Sequence, residues 1–365
     1  MLDGQAILDR LRRGDIQLPP LNIRPLDYER RVRADGRSYD ADAILEVGWG
    51  ELTYTFVAEC RGSSTPKTIR EAADRIVRLA PAFNASPLVI APWLSPRHLA
   101  ELEEREISGI DLCGNGVVIV PDRMLVFRTG QPNKYPESRP IKDVYRGGSS
   151  VVARVFLLRA SYASVNDVFE EVQSRSGTVA LSTVSKVLKQ LEEDLLIARE
   201  GKTTRLIQAD RLMENLAASY RPAVVKNRLV GRTDGKLSED FARISRNREV
   251  RLVQTGTSSA TRYATMASEP IKSFYCDRDP REVLRLAGIP AEETERFANF
   301  ELLHCDEASV YFDRRIEREA PFASPVQTWL ELNAGDKRLR EVAEQVKRLI
   351  VDGLGQTRAK VANDR

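Results

Sequence analysis

The clearest pattern of apolar and polar positions lies in residues 151–208. Across 182–196, Val184, Val187, Leu188 and Leu191 recur at spacings of three and four, which predicts an amphipathic helix. At 100° per residue, Ser182, Thr183, Lys186, Lys189 and Gln190 fall on a second, roughly opposite face, flanked by Ser185. From Val172 to Leu191 there are three cations, Arg175, Lys186 and Lys189, and no acid. Two helices are predicted ahead of it. The first, 151–160, has Val151, Val155 and Leu158 as its apolar positions. The second, 164–174, opens on a capping box of Ser164 with Asp167 and packs through Val165, Val168, Phe169 and Val172. After the third helix, 196–200 and 203–208 read as two strands with Gly201-Lys202 at their turn.

Helix, helix, turn, helix and two-stranded wing is the order of a winged helix-turn-helix, whose recognition helix enters the major groove of DNA. On that reading Ser182, Thr183, Ser185, Lys186 and Lys189 contact bases or phosphates, and Arg199, Lys202 and Arg205 on the wing reach neighbouring phosphates. A trihelical bundle with a hairpin can equally be a protein-interaction module. The acid-free face of cations and hydroxyls is what favours DNA.

Earlier in the chain, 40–61 alternates as an antiparallel hairpin about the turn Gly48-Trp49-Gly50. A helix over 68–80 follows, with Ile69, Ala72, Ala73, Ile76 and Leu79 inward, then a buried strand (87–92), a helix (95–107) and strands in 109–121 and 123–129. Two strands, helix, strand, helix, strands describes an α/β sandwich on a mixed sheet. The segment 1–37 reads as one helix and an Arg-rich solvated run, with Arg24, Arg30, Arg31 and Arg33. Residues 129–150 carry three prolines and three glycines without periodicity, the mark of a linker.

Beyond 221, strands in 251–256, 272–277, 300–305 and 308–313 alternate with helices over 280–288, 324–335 and 337–353. The last of these is expected to bury Leu339, Val342, Ala343, Val346 and Leu349. Ser258 and Ser259 read as helix caps, with anion binding as the weaker alternative. The window 221–251 holds nine Lys or Arg against four Asp or Glu, either a DNA-flanking strap or a solvated charged surface.

The fold class expected is α/β (α+β) in six parts. These are a helical and basic extension (1–37), a mixed-sheet domain (38–130), a linker (131–150), the winged helix (151–220), a small α/β domain (221–353) and a polar, frayed tail (354–365). Composition narrows the chemistry. The net charge of +3 does not by itself argue for nucleic acid. Two histidines, His98 and His304, leave little material for zinc or imidazole catalysis. Cys60, Cys113, Cys276 and Cys305 lack metal-type spacing. No apolar run is long enough to span a membrane and no signal peptide opens the chain, so the cytoplasm is the expected location.

One constellation carries enzymatic chemistry. Asp42 at the start of one predicted strand and Glu59 near the end of the next, followed by Arg61, place two carboxylates and a cation where a divalent metal such as Mg²⁺ could be held for phosphodiester hydrolysis. Over roughly 38–130 this resembles the PD-(D/E)xK nuclease-like fold, with Arg61 where that family has lysine. A guanidinium stays protonated and cannot act as a base, which weighs against catalysis, and Lys67 is the nearest stand-in. Asp111 and Asn115 in DLCGN are either further site residues or a turn in which Gly114 and Gly116 supply positive φ.

Three stretches, LSTVSKVLKQLEEDLLIAREG, TGTSSATRYA and SPVQTWLELNAGDKRLREVAEQV, resemble bacterial regulators of the abortive-infection antitoxin kind, from type IV toxin–antitoxin systems. The front half, with VAECR and VIAPWLSPRHLAELEEREISGIDLCGNG, looks like the nuclease-like domain that precedes that module in longer relatives. The resemblance implies a DNA-binding autorepressor whose partner is a nucleotidyltransferase-like toxin. Double-stranded DNA is the expected ligand and no cofactor is expected; a homodimer is a further expectation, since winged-helix proteins often dimerise. The rival expectation is a metal-dependent endonuclease targeted by the winged helix, with Asp42 and Glu59 as metal ligands.

Overall fold

The computed structural model describes residues 3–34, 36–135, 143–235, 237–247, 249–267, 269–316 and 321–363, without the side chains of 34, 37 and 355–363. The fold is mixed α/β, as the alternation of periods predicts. By contacts the chain divides into one unit of Met1–Lys142 with Glu193–Leu195 and a second of Asp143–Glu192 and Leu196–Arg365.

The first unit runs α1 (Gly4–Arg12), β1 (Asn22–Ala34), β2 (Arg37–Trp49), β3 (Leu52–Cys60), α2 (Pro66–Phe83), β4 (Ser86–Ala91), α3 (Pro96–Glu103), β5 (Ser108–Asp111), β6 (Gly116–Val120) and β7 (Met124–Arg128). Its seven strands lie in sequence order; β3, β4 and β5 are parallel and the others antiparallel. The parallel pairs follow from the helices α2 and α3, which carry the chain back across the sheet. On one face α1 packs Ile7, Leu8 and Leu11 against Leu45, Phe56 and Ile90. On the other, Ile69, Ala72, Ala73, Ile76 and Leu79 of α2 meet Val57 and Val89, as their spacing predicts. Each buried Val, Leu, Ile or Phe side chain among them contributes about 1.5–3 kcal/mol.

Three expectations are corrected here. The Arg-rich run after α1 is not an extension: β1 is a 13-residue edge strand paired with β2 along its length. An edge strand with long-stemmed arginines needs no strict alternation, so its period was hidden. The hairpin turn lies at Gly50 and Glu51, with Gly50 at φ +63, while Gly48 and Trp49 are still paired with Thr53 and Leu52. Part of the expected linker, 131–135, packs on this unit: Gln131 bonds Asn115 in both directions and Tyr135 receives Arg10. Linker residues 136–142 lie outside those described.

The second unit opens with α4 (Ser150–Arg154), which tightens into a 3₁₀ turn (Val155–Leu157) instead of running to 160, then β8 (Ser161–Tyr162), α5 (Val165–Ser174), α6 (Leu181–Glu193), β9 (Ile197–Glu200), β10 (Thr203–Leu206) and α7 (Ala209–Ser219). Ser164 caps α5 through the N–H of Asp167, but the Asp167 carboxylate receives Ala163 N–H and Arg159, not the return bond of a capping box. The wing is three-stranded, in the order β8-β10-β9.

The remainder forms a second seven-stranded sheet, ordered β14-β11-β15-β13-β12-β17-β16. The elements are β11 (Asn227–Arg232), α8 (Leu237–Arg246), β12 (Leu252–Gln254), α9 (Gly256–Ala260), β13 (Lys272–Cys276), α10 (Pro280–Ala287), β14 (Glu292–Glu293), β15 (Phe300–His304), β16 (Arg315–Ile316), β17 (Pro321–Phe322), α11 (Pro325–Asn333) and α12 (Lys337–Asn363). The basic window turns out to build this sheet. Within it, Arg232 and Arg243 pair with the window's own Asp234 and Asp240, while Lys226, Arg228 and Arg251 pair with Asp306, Glu301 and Asp277, so part of the charge excess is met by three acids brought from elsewhere in the sequence. Lys236 and Arg248 of that window lie outside the described residues.

The predicted strand over 308–313 is a 3₁₀ turn (Ala308–Val310) closed by Asp313 at φ +55. In α12 the buried row is Val342, Ala343, Val346, Ile350 and Leu354; Leu349 is exposed. The stripe steps by four from Val346, where the sequence reading stepped by three. The helix also continues to Asn363, past the expected frayed tail, whose last two residues are outside those described.

Candidate functional site

In α6 the stripe Val184, Val187, Leu188 and Leu191 is fully buried, which leaves Ser182, Ser185, Lys186 and Lys189 exposed and Thr183 half-buried. Gln190, expected on the polar face, is buried. Among the described residues, Lys186, Lys189 and Lys202 have no carboxylate within ion-pair distance. The wing is less basic than its sequence: Arg199 lies 3.4 Å from Glu192, and Arg205 lies 2.9 Å from Glu200. The Arg205 pair is exposed and the Arg199 pair partly so; such pairs contribute little stability, but each acid offsets part of the charge its arginine presents.

Sequence reasoning missed a neighbouring feature. The turn between α5 and α6 is fixed to the segment after the 3₁₀ turn: Arg175 donates to Glu171 at 2.6 Å and to Asp313, whose N–H bonds the Arg175 carbonyl at 3.0 Å. Beside it opens a cleft of about 520 Å³ that Arg175, Arg246, Arg314 and Arg315 line with Ser174 and Ser176, against one acid, Asp313. These arginines come from three separate stretches, so no local charge run could have announced them. Gly177 seats the turn, since a Cβ there would come within 2.4 Å of Val172.

In the first unit, Asp42 lies within β2, not at its start, and Glu59 is the penultimate residue of β3. The register that pairs Ala43 with Ala58 brings the two acids together, and Asp42 Oδ2 accepts the N–H of Cys60 at 2.7 Å. Glu59 is fully buried. Its Oε1 faces Arg61 at 2.5 Å and Arg75, from α2, at 3.2 Å. Burial, with the Asp42 charge second, pushes the Glu59 carboxyl above its ordinary 4.5, while the two guanidiniums pull it back. A cation entering here would have to displace Arg61 from Glu59. Among the described residues no group of three His, Cys, Asp or Glu side chains is gathered for a metal. Lys67 lies in the first turn of α2.

The raised Glu59 value has a thermodynamic consequence. Between 4.5 and its folded value the unfolded carboxyl has lost its proton and the folded one has kept it, so this group's contribution to stability falls as pH rises through that window. Glu59→Gln is expected to flatten the decline of the urea midpoint from pH 4.5 upward. An unchanged slope would assign the decline to other groups.

Asp111 and Asn115 resolve as a turn. Asp111 accepts the N–H groups of Cys113 and Asn115, each at 2.8 Å, of Leu94 at 2.9 Å, and the Asn115 amide at 2.7 Å, which fills both its oxygens. Gly114 takes φ +95 as expected. Gly116 does not; it is needed because a Cβ would come within 2.9 Å of the Gly109 carbonyl. His98 closes the capping box of α3 with Ser95, and the four cysteines are buried and free.

Ser258 and Ser259 do not cap α9, and the place expected for an anion at its N-terminus is filled from within the chain. The carboxylate of Glu331, from α11, takes that place, accepting Gly256 N–H at 2.5 Å and the Thr255 hydroxyl. Ser258 accepts Ser273 N–H and Ser259 meets Thr328.

No family model, no curated protein and no solved structure matches the chain. Among the described residues no helix is long and apolar enough to cross a membrane.

Proposed function

We propose that this protein binds double-stranded DNA through α6 and the wing, as a transcriptional regulator. The observation that carries the reading is the exposed face of α6, where Ser182, Ser185, Lys186 and Lys189 stand together; the acids of the helix, Glu192 and Glu193, come in its last turn, and among the described residues neither lysine has a carboxylate within ion-pair distance. Hydroxyls and unpaired ammonium groups on a helix whose other face is fully buried are what phosphate and base contact require. The arginine-lined cleft beside the turn supports it, since guanidiniums suit flanking phosphates. An antitoxin role in a defence or mobile-element locus, with a nucleotidyltransferase-like toxin as partner, rests on the resemblance of the sequence stretches alone, and a homodimer as the working form rests on the habit of winged-helix proteins.

A second reading, a metal-dependent endonuclease, is favoured by one arrangement. Asp42 and Glu59 neighbour each other on β2 and β3, in a unit whose order is helix, three antiparallel strands, helix, parallel strand. The ion pairs of Glu59 with Arg61 and Arg75 weigh against it.

One series separates the two. Duplex DNA from the region upstream of the coding sequence is incubated with the protein, with and without Mg²⁺ or Mn²⁺, and run on native and denaturing gels. An intact, salt-sensitive shift is the expected result. Metal-dependent fragments abolished by Glu59→Ala would make the endonuclease reading the better one, and no shift even at low salt would overturn DNA binding.

A further inference from the structure

The turn between α5 and α6 sets the angle at which α6 is presented, and it is held in a conformation its own residues do not favour. Ser176 takes φ +64, the left-handed region that costs a residue with a side chain. Within the turn, Ser176 N–H bonds the Gln173 carbonyl at 3.1 Å and Gly177 N–H the Val172 carbonyl at 2.9 Å. Left-handed backbone of this kind persists only where the surroundings over-determine it. Here they include a segment 138 residues further along the chain. The N–H of Asp313 donates to the Arg175 carbonyl at 3.0 Å. One carboxylate oxygen of Asp313 accepts Arg175 Nη1, and the other accepts Arg315 at 3.0 Å. Phe312 stands beside Gly177, where an added Cβ would come within 3.1 Å of its ring.

This grip has a fixed support. Tyr311 and Phe312 are each 1% exposed, and the Tyr311 hydroxyl donates to the Cys305 carbonyl, just past β15, at 2.7 Å. Asp313 is 5% exposed, too buried to meet DNA, and its charge repels phosphate. By charge alone a DNA-binding protein would do better without it, since it ties up Arg175 and Arg315, which line the cleft. A buried ion pair is a weak source of net stability, and its better attested use is to fix one arrangement. We propose, on the DNA reading of α6, that Asp313 is a positioning residue for DNA binding. By holding Arg175 at both its guanidinium and its carbonyl, it locks the α5–α6 turn and so the angle at which α6 meets the duplex.

The test is Asp313→Asn in the full chain, because asparagine accepts left-handed backbone and keeps the N–H donor while losing the charge. Hydrogen exchange is followed at the amides of Ser176 and Gly177. Binding to duplex DNA from the region upstream of the coding sequence is read by fluorescence anisotropy across a salt series. Exchange at the two amides is expected to quicken about tenfold, while Val187 and Leu188 exchange as in the native protein. Affinity is expected to fall about tenfold, the equivalent of one good base contact, with the salt slope unchanged. A charge effect has the opposite sign: removal of the acid would tighten binding and steepen the slope. Unchanged exchange at the turn, or affinity equal to or above that of the native protein, would overturn the proposal. Exchange quickened throughout the second unit would make Asp313 a stabilising residue and overturn it as well. A native protein that binds no duplex would remove the DNA reading and the proposal together, whereas failure of the proposal alone shows as tight binding by both proteins.

Discussion

Replacing Lys186 and Lys189 together by alanine is expected to cut affinity for duplex DNA roughly thirtyfold at about 0.15 M salt, and to lower the salt slope by about two units. The figure follows from counterion release. Each phosphate contact contributes about 0.9 to the slope of log K against log salt, so two contacts scale affinity by salt concentration to a power of about 1.8. Both side chains are exposed on a helix whose opposite face is buried, so stability should stay within about 0.5 kcal/mol of the native protein. The wing offers an internal comparison. Arg199 and Arg205 already face Glu192 and Glu200, and the double substitution Arg199→Ala, Arg205→Ala should lower the slope by less than the lysine pair does. Fluorescence anisotropy across a salt series reads both quantities. An unaltered slope in the lysine variant would remove α6 from the interface and leave the fold a protein-interaction module.

Arg154→Ala is expected to lower the stability of the second unit by about 3–5 kcal/mol, the range for breaking a buried charged network on one side. Arg154 lies on α4 and is 4% exposed. Its Nη1 donates to the Ser309 carbonyl at 3.1 Å and to Gln327 Oε1 at 2.8 Å, and the Gln327 amide donates to Glu331 at 2.7 Å. Glu331 then closes on the N-terminus of α9. The first helix of the winged helix is thus joined to α9 and α11 by one chain of hydrogen bonds. Burial draws the guanidinium down to about 10, which keeps it charged at neutral pH, and pushes the Glu331 carboxyl up. Alanine would leave Gln327 Oε1 and the Ser309 carbonyl without their donor. Arg154→Met, which fills the same space and adds no polar group, should recover much of the loss. Urea unfolding of the three proteins decides it; a loss below about 1 kcal/mol in Arg154→Ala would mean that the network relaxes around the gap.

Some of this was written locally. The inward rows of α2, α5 and α6 could be read from spacing alone, because a helix that buries one face must repeat every three to four residues. The Gly201 turn and the Ser164 cap were equally plain, since each answers a backbone demand within a few residues. Asp42 and Glu59 could be paired because adjacent strands of a hairpin have only a few registers.

What only the tertiary structure decided concerns groups whose partners lie far along the chain. The excess of cations in 221–251 became a set of ion pairs once Glu301, Asp306 and Asp277 were folded beside it. Arg75 reached Glu59 from a different element, and Glu331 took the helix end that Ser258 and Ser259 had been expected to cap. The arginine cleft is assembled from three distant stretches. Periodicity reports which way a residue faces, because that depends on its own element. It carries no information on what stands opposite, and electrostatics and ligand sites depend on that.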